Sequence, residues 1–141
     1  MDHKELELFR KAYDKSVKKC IKGKGKNGRD IEEQSNWVWF DRAVIEELLA
    51  MTDPQTGGIK MYFGQYDENN IEMLPKDRKN REEYIGRISL ALAASNKTEA
   101  GFEDIALPDS NKEEGFSPSR SGGGIENGGT ICPPDCKPQD T

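Results

Sequence analysis

The sequence is short of the residues on which most enzymes depend. It contains one histidine, His3, and three cysteines among 141 residues. A single histidine in a terminal segment leaves the Ser-His and Cys-His nucleophile schemes without a well-placed base. Long apolar runs are missing as well, since mean hydropathy is -0.88 and no run approaches the ~20 residues that cross a bilayer. We therefore expect neither a histidine-dependent hydrolase nor a membrane-spanning protein.

Apolar residues are scarce too, at 33% of the chain, the same share as charged residues. That share is low for a globular chain of this size, so part of the chain is predicted to lack a core. The N-terminus is charged and amphipathic and lacks the apolar segment of a secretory signal. We therefore expect a cytoplasmic protein whose cysteines are mainly reduced.

Charge is divided unevenly along the chain. The net charge is -5, but residues 1–29 hold 10 Lys and Arg against 4 Asp and Glu, and the remainder is strongly acidic. The basic segment either meets an anionic partner or lies on the chain's own acidic body. Because its excess is small against the roughly 6–10 phosphates that a dedicated nucleic-acid binder neutralises, we do not expect nucleic acid to be the partner.

Hydrophobic periodicity predicts a small α+β domain. Apolar residues at helical spacing predict helices over residues 3–22 and 41–52. Alternating and β-branched or aromatic residues predict strands over 37–40, 59–66 and 84–94. The last two strands are consecutive, so we expect them to pair. The predicted order is an N-terminal helix and then strand–helix–strand–strand, with both helices covering faces of a small sheet.

The composition divides the chain into three parts. Residues 1–29 are a basic N-terminal helix and linker, 30–107 the α+β domain, and 108–141 a flexible tail. The tail holds 6 of the 14 Gly and 5 of the 7 Pro, a composition that does not offset the entropy of ordering a backbone. We expect the tail to become ordered only on a partner, and so small a body to gain from a partner or from self-association.

The linker matches the G-x-G-x-x-G pattern of dinucleotide-binding proteins in sequence but not in its predicted structural setting. Residues 23–28 read G-K-G-K-N-G. Dinucleotide binding needs such a loop between a strand and a helix, so that helix N-terminal amides face the pyrophosphate. Here a predicted helix precedes the loop and no clear helix follows it. We predict a flexible basic linker and expect no cofactor.

The most distinctive motif of the tail is C-P-P-D-C, with Cys132 and Cys136 at its ends. The spacing differs from the C-x-x-C of redox centres and zinc knuckles. Three interpretations stay open: first an unpaired motif that faces a partner, then a reversible disulfide, then a metal site. A complete intramolecular zinc site would have to recruit Cys20 and His3, because structural zinc takes four ligands.

Carboxylates offer an enzymatic alternative. Asp67, Glu68 and Glu72 have the oxygen chemistry that Mg²⁺ prefers, which would suit an enzyme that uses a divalent cation. The segment carries no EF-hand-like ligand pattern, however, and general acid chemistry requires a buried carboxyl with a shifted pKa. A solvated acidic face is the more economical interpretation.

Aromatic residues near the predicted strands form a candidate binding surface: Trp37, Trp39, Tyr62 and Tyr66. By alternation the two tryptophans share one face of their strand, opposite Val38. The simpler interpretation covers that face with the N-terminal helix. The alternative is an aromatic patch for a protein partner, since Trp and Tyr are enriched at interfaces. With no catalytic residue to assign, we expect a non-enzymatic binding or adaptor protein acting through this patch and the tail, on a protein partner or as a homo-oligomer.

Three segments together resemble a known group of proteins. They are W-V-W-F at 37–40 entering a helix, G-I-K-M-Y-F-G at 58–64, and N-G-G at 127–129 followed by C-P-P-x-C. The chain resembles small bacterial proteins to which no activity is assigned, over residues 35–136 with the excursion of residues 67–83 unmatched. The resemblance implies a stand-alone bacterial protein in which tail and body belong to one unit, and it transfers no catalytic residue.

Overall fold

The computed structural model describes residues 1–105 and 124–138. Its helices are α1 (His3–Lys15), α2 (Val17–Cys20) and α3 (Arg42–Ala50), with short 3-10 helices at Lys26–Gly28, Ile71–Met73 and Arg81–Tyr84. Its strands are β1 (Trp37–Trp39), β2 (Gly57–Gln65), β3 (Ile88–Thr98), β4 (Gly101–Asp104), β5 (Ile125–Glu126) and β6 (Thr130–Cys132). The α+β class predicted from the sequence is confirmed. Within the described ranges, no helix combines the length and the apolar character needed to span a membrane.

The larger sheet is built around β3. Strand β2 runs antiparallel to β3 in an unbroken register from Gly57↔Asn96 to Gln65↔Ile88, which confirms the predicted pairing. Strands β4 and β5 pair with the other edge of β3. Asp41 caps the N-terminus of α3, because its side chain accepts a hydrogen bond from Val44 N at 2.9 Å. The helix packs over one face of this sheet.

Two apolar clusters make up the core of the part of the chain that the structure describes. One lies beneath α3 and joins Leu48 to Leu92 and Ala94 of β3. The other contains Tyr66, Leu74, Tyr84 and Ile131. Since Ile131 belongs to β6, the C-terminal part of the chain supplies core to the body.

Residues 124–138 therefore differ from the predicted flexible tail. Strand β6 pairs antiparallel with β1, setting Val38 opposite Ile131, and β5 pairs with β3. The ladder hydrogen bonds and the buried Ile131 side chain offset the ordering cost that composition alone suggested. The other residues of the predicted tail, 108–123 and 139–141, lie outside the described residues.

A glycine permits the close approach of β6 to β1. A Cβ atom on Gly129 would stand 2.5 Å from Val38 Cγ1 and 2.7 Å from Phe40 Cε2. Real side chains essentially never come so close, so any larger residue would push the C-terminal segment away from β1. A composition count treats glycine as a sign of disorder, but glycine at position 129 allows the two strands to pack closely.

The N-terminal helix does not cover a sheet face, so that expectation is wrong. Helices α1 and α2, which occupy the predicted helical stretch, contain no buried residue, and Leu6, Phe9 and Val17 of the predicted apolar stripe are exposed. The links of the two helices to the body are polar: Tyr13 Oη of α1 donates to Ser35 O at 2.8 Å, and Lys18 Nζ of α2 donates to Asn36 Oδ1 at 2.6 Å. Amphipathic spacing correctly indicated a helix here but did not determine what the helix would pack against.

Candidate functional site

The two tryptophans lie on the open face of β1. Val38, between them, packs into the core cluster opposite Ile131, and alternation turns Trp37 and Trp39 to the other side. Trp37 is 40% exposed and Trp39 is 58% exposed. The interpretation in which α1 covers them is therefore wrong, and the aromatic surface is open.

Beside the tryptophans is a cleft of about 450 Å³. Its walls come from β1, from the polar turn before the third 3-10 helix, and from the C-terminal segment. The lining residues are Trp37, Trp39, Asp77, Arg78, Lys79, Asn80, Thr130, Asp135, Cys136, Lys137 and Pro138. A cleft of this size falls in the range of small-ligand and peptide side-chain pockets.

One cation connects the two polar walls of the cleft. The Arg78 guanidinium donates to the carbonyl oxygens of Gly129 at 3.0 Å and Gly128 at 2.6 Å. It also lies 5.3 Å from the ring centroid of Tyr84, within cation–π range. These contacts hold the strand that pairs with β1 against the turn that carries Arg78.

A buried tyrosine holds the other side of the cleft. Tyr84 Oη donates to Asp135 Oδ2 at 2.7 Å and accepts from Ile131 N at 3.3 Å. Asn80 Nδ2 donates to Asp135 Oδ1 at 2.7 Å. Burial, together with the hydrogen bond to Asp135, raises the pKa of Tyr84 above its ordinary value, so the hydroxyl keeps the proton that it donates. The C-P-P-D-C loop is thus fixed to the core through its aspartate.

The two cysteines of this loop form a disulfide. Cys132 and Cys136 are joined, with their Cα atoms 4.6 Å apart, so the structure shows the pairing of the second sequence interpretation, and the reversibility of the bond stays a prediction. Cys132 is buried, whereas Cys136 is exposed at the cleft. Paired sulfurs are not available as thiolate ligands, and Cys20 remains a free, exposed thiol. Because disulfides are uncommon in the reducing cytoplasm, the cytoplasmic location stays a prediction.

The other two predicted binding residues lie elsewhere. Tyr66 is buried, and its hydroxyl accepts hydrogen bonds from Asn127 Nδ2 at 3.2 Å and Gly128 N at 3.1 Å. It anchors the C-terminal segment, so its prediction as a partner-contacting residue is wrong. Tyr62 projects from β2, where its hydroxyl donates to Asp104 Oδ2, and it does not line the cleft.

The predicted carboxylate site is not assembled. Asp67 accepts hydrogen bonds from the backbone N–H groups of Asn69 and Asn70, as a turn residue does. Glu72 pairs with Arg81 at 3.1 Å. In the part of the chain that the structure describes, no three His, Cys, Asp or Glu side chains come together in a group that could hold a metal ion.

The basic segment of residues 1–29 contacts the chain's own body, one of the two interpretations of the charge pattern. Lys18 pairs with Glu33 at 2.9 Å, and Lys26 pairs with Glu83 at 2.6 Å. The G-K-G-K-N-G loop forms a tight turn in which Asn27 has a φ of 59°. It lacks the strand-to-helix setting that a dinucleotide requires.

A buried carboxyl near the start of α3 is one that the sequence did not reveal. Glu126 of β5 is 5% exposed. Burial, together with the nearby charges of Glu47 and Asp41, raises its pKa to about 7. Its neighbours in sequence are Ile, Asn and Gly, so no pattern marks this carboxyl as a buried one.

Comparison with protein-family models, with curated proteins and with solved structures finds no match to this chain. The functional conclusion consequently rests on the geometry of the cleft.

Proposed function

We propose that the chain is a binding protein that takes a short segment of a partner protein into the tryptophan-lined cleft. The single observation that carries this proposal is the exposure of Trp37 and Trp39 on one face of a strand whose opposite face is packed into the core. Exposed tryptophan is costly to leave in water and is the side chain most enriched at binding hot spots. A surface of this kind is typical of a recognition site.

The rigidity of the walls supports the same proposal. Tyr84, Arg78 and the Cys132–Cys136 disulfide hold the polar walls of the cleft before any partner arrives. A preorganised site does not have to order its own side chains on binding, and this lowers the entropic cost of association. The cleft therefore suits a flexible segment better than a second rigid surface.

The polar rim indicates what the segment carries. Lys79 and Lys137 line the cleft, and no ion pair joins either of them to a described residue. An apolar or aromatic side chain of the segment would lie against the tryptophans, and a carboxylate beside it would meet the lysines. Electrostatic complementarity of this kind sets orientation and association rate more than affinity.

The test compares the wild type with Trp37→Ala/Trp39→Ala as bait in lysate of the source organism, followed by binding of the captured protein in purified form. We expect the double variant to lose capture and to bind the purified partner at least about tenfold more weakly. Phe102→Ala is the matched control, because Phe102 is an exposed aromatic residue that does not line the cleft. Equal binding by the wild type and the double variant would rule the proposal out.

Intrinsic fluorescence gives an independent readout. The chain contains two tryptophans, and both line the cleft. A partner segment that enters the cleft should shift the emission of the wild type to shorter wavelength, because the indole rings leave water. Binding without any change in emission would place the partner elsewhere on the molecule.

A second candidate function is thiol–disulfide exchange, favoured by the exposure of Cys136 at the cleft. A partner thiolate would attack Sγ of Cys136, the Cys132 sulfur would leave as thiolate, and a mixed disulfide would form. The partner's second thiol would then release Cys136, leaving the partner oxidised and this chain as a dithiol. Cys132→Ser in a Cys20→Ser background leaves Cys136 as the one thiol, which tests the exchange in reverse. The Cys136 thiolate attacks the disulfide of an oxidised partner, one partner sulfur leaves as thiolate, and the mixed disulfide persists because no second thiol of this chain releases it. Recovery of a partner linked through Cys136, by mass spectrometry without reductant, would favour exchange over simple binding.

A further inference from the structure

One edge of the larger sheet is open. Strand β2 pairs with β3 along one side, and no other strand of residues 1–105 and 124–138 pairs with its outer side. In an antiparallel ladder, successive residues direct their backbone groups alternately to the two sides. Lys97 N donates to Thr56 O at 2.9 Å, so the even-numbered residues of β2 face β3. The odd-numbered residues therefore direct their N–H and C=O groups outward.

Contacts on the far side of β3 confirm which residues of β2 direct their backbone groups outward. Ala94, opposite Ile59 in the ladder, donates to Gly124 O at 2.8 Å and accepts from Ile105 N at 2.9 Å. Its backbone groups thus point away from β2, as those of Ile59 must point away from β3. At the ends of β2, Gly57 N donates to Asp53 O and Gln65 O accepts from Asn70 Nδ2. The open stretch is consequently Ile59 to Phe63.

The side chains of this stretch are apolar and uncovered. Met61 is 56% exposed and Phe63 is 83% exposed, whereas Ile59 reaches the cluster beneath α3. Proteins usually protect an edge strand with a proline, a bulge or an unpaired charge. β2 has a regular register without a bulge, and its one charge, Lys60, pairs with Asp104 at 2.8 Å.

We propose that β2 is a homodimer interface, at which a second copy of the chain adds its own β2 antiparallel across a two-fold axis at Met61. Because every second residue of β2 directs its N–H and C=O groups outward, two antiparallel copies of the strand can pair with each other. Met61 faces the partner's Met61 and Ile59 faces the partner's Phe63, so each outward-directed residue meets another, with about six backbone hydrogen bonds in all. The two sheets become one continuous sheet, an isologous contact of the kind most homodimers use.

Charge supports the same register. On the other face of the strand, Lys60 comes opposite the partner's Tyr62, so the two lysines do not meet. Within one chain, Lys60 Nζ already lies 5.5 Å from the Tyr62 ring centroid, and the partner's ring offers a second cation–π contact. A two-fold axis at Lys60 would also pair outward-directed residues, but it would set the two ammonium groups directly opposite each other, which destabilises a strand pair.

Sedimentation equilibrium from micromolar to millimolar concentration tests the dimer, and the mass should rise from 15.8 kDa toward twice that value. Phe63→Lys places a charge in the interface without touching the core, and should weaken dimerisation at least about tenfold. Phe102→Lys, an exposed aromatic residue on β4, should leave dimerisation unchanged. A monomer at every concentration, or a dimer indifferent to Phe63→Lys, would overturn the proposal.

Cross-linking tests the register. In a Cys20→Ser background, Met61→Cys brings two thiols face to face at the axis, at a Cα separation near 5.5 Å that suits a disulfide. Phe63→Cys leaves its two thiols four residues apart along the strands, roughly 13 Å. We expect mild oxidation to link Met61→Cys and to leave Phe63→Cys unlinked. Equal linking of both variants would contradict the two-fold axis at Met61.

Discussion

Trp37 lies directly opposite Cys132 in the ladder between β1 and β6. Residues opposite each other in an antiparallel pair share a face, so the strand that carries the tryptophans is held beside the disulfide loop. The two sequence features most suggestive of function, 95 positions apart in the chain, therefore belong to one site.

Loss of the disulfide should loosen this site. The bond closes a short loop, and the chain-entropy model gives about 2 kcal/mol of stabilisation for a loop of this length. We expect Cys132→Ala/Cys136→Ala to lower the free energy of unfolding by about that amount and to shift tryptophan emission. Urea titration followed by fluorescence measures both effects. Cys20→Ala, which removes the free exposed thiol, should change neither, and an unaffected double variant would show that the loop is held without the bond.

Substitution of Gly129 should destabilise the protein through the β1–β6 contact. A methyl group there would overlap Val38 and the Phe40 ring, and relieving such an overlap typically costs 1–3 kcal/mol, an order-of-magnitude range. Gly129→Ala should therefore lower the midpoint of urea unfolding. Gly58→Ala is the matched control, because a Cβ atom at Gly58 meets nothing within 4 Å. Equal midpoints for the two variants would contradict the close approach.

Local pattern was sufficient to predict the elements with strong periodicity. The alternation of Ile88, Leu90 and Leu92 marked β3, and the proximity in sequence of β2 and β3 made their pairing the natural expectation. Helix α3 was likewise indicated by Asp41 and the apolar residues that follow it. In each case the side chains that define the element also make its main contacts, so pattern and packing agree.

The site was only half predictable, for a different reason. Trp37 and Cys136 stand out as residue types, but their meeting depends on β6, a three-residue strand in a Gly- and Pro-rich segment. Arg78 comes from a polar excursion without periodicity and Tyr84 from the first position of the predicted strand 84–94, and the roles of both arise from hydrogen bonds to residues distant in the sequence. No local signal encodes such contacts, because each depends on the register of a long-range pairing.

The Tyr84 hydroxyl should contribute measurably to stability. Tyr84→Phe keeps the buried ring but removes the bonds to Asp135 and to Ile131 N, leaving a buried N–H without that partner, at a cost of about 1–3 kcal/mol. Tyr62→Phe removes an exposed hydroxyl and should cost less than about 1 kcal/mol. Thermal unfolding at one pH compares the two variants. Equal losses would show that the Tyr84 hydroxyl does not anchor the C-terminal segment.

Stability should fall as pH rises from mildly acidic to neutral, because of Glu126. Its pKa is about 7 in the folded protein against an ordinary 4.5, so between these values the folded state holds a proton that the unfolded state has released. The free energy of unfolding therefore decreases through this window, by roughly 3 kcal/mol in all at 1.36 kcal/mol per pKa unit. Asp53 and Asp104 affect stability in the opposite sense. Backbone hydrogen bonds lower the pKa of Asp53, and the hydrogen bond from Lys60 lowers the pKa of Asp104. Their stabilisation is lost only at more acidic pH.

Glu126→Gln isolates this contribution. The amide keeps the shape of the side chain without its charge, so the variant should lack the decrease between pH 4.5 and 7 and exceed the wild type in stability above it, by up to about 3 kcal/mol. Urea unfolding across this range at constant ionic strength measures both curves. Glu47→Gln removes one of the charges that raise the Glu126 pKa, so its curve should keep the decrease but move it to lower pH. Exposed Glu99 provides the control, because the curve of unfolding free energy against pH should be parallel for Glu99→Gln and the wild type. If the curve of Glu126→Gln is also parallel to that of the wild type, the pH dependence arises from another group and the Glu126 carboxyl is charged in the folded protein.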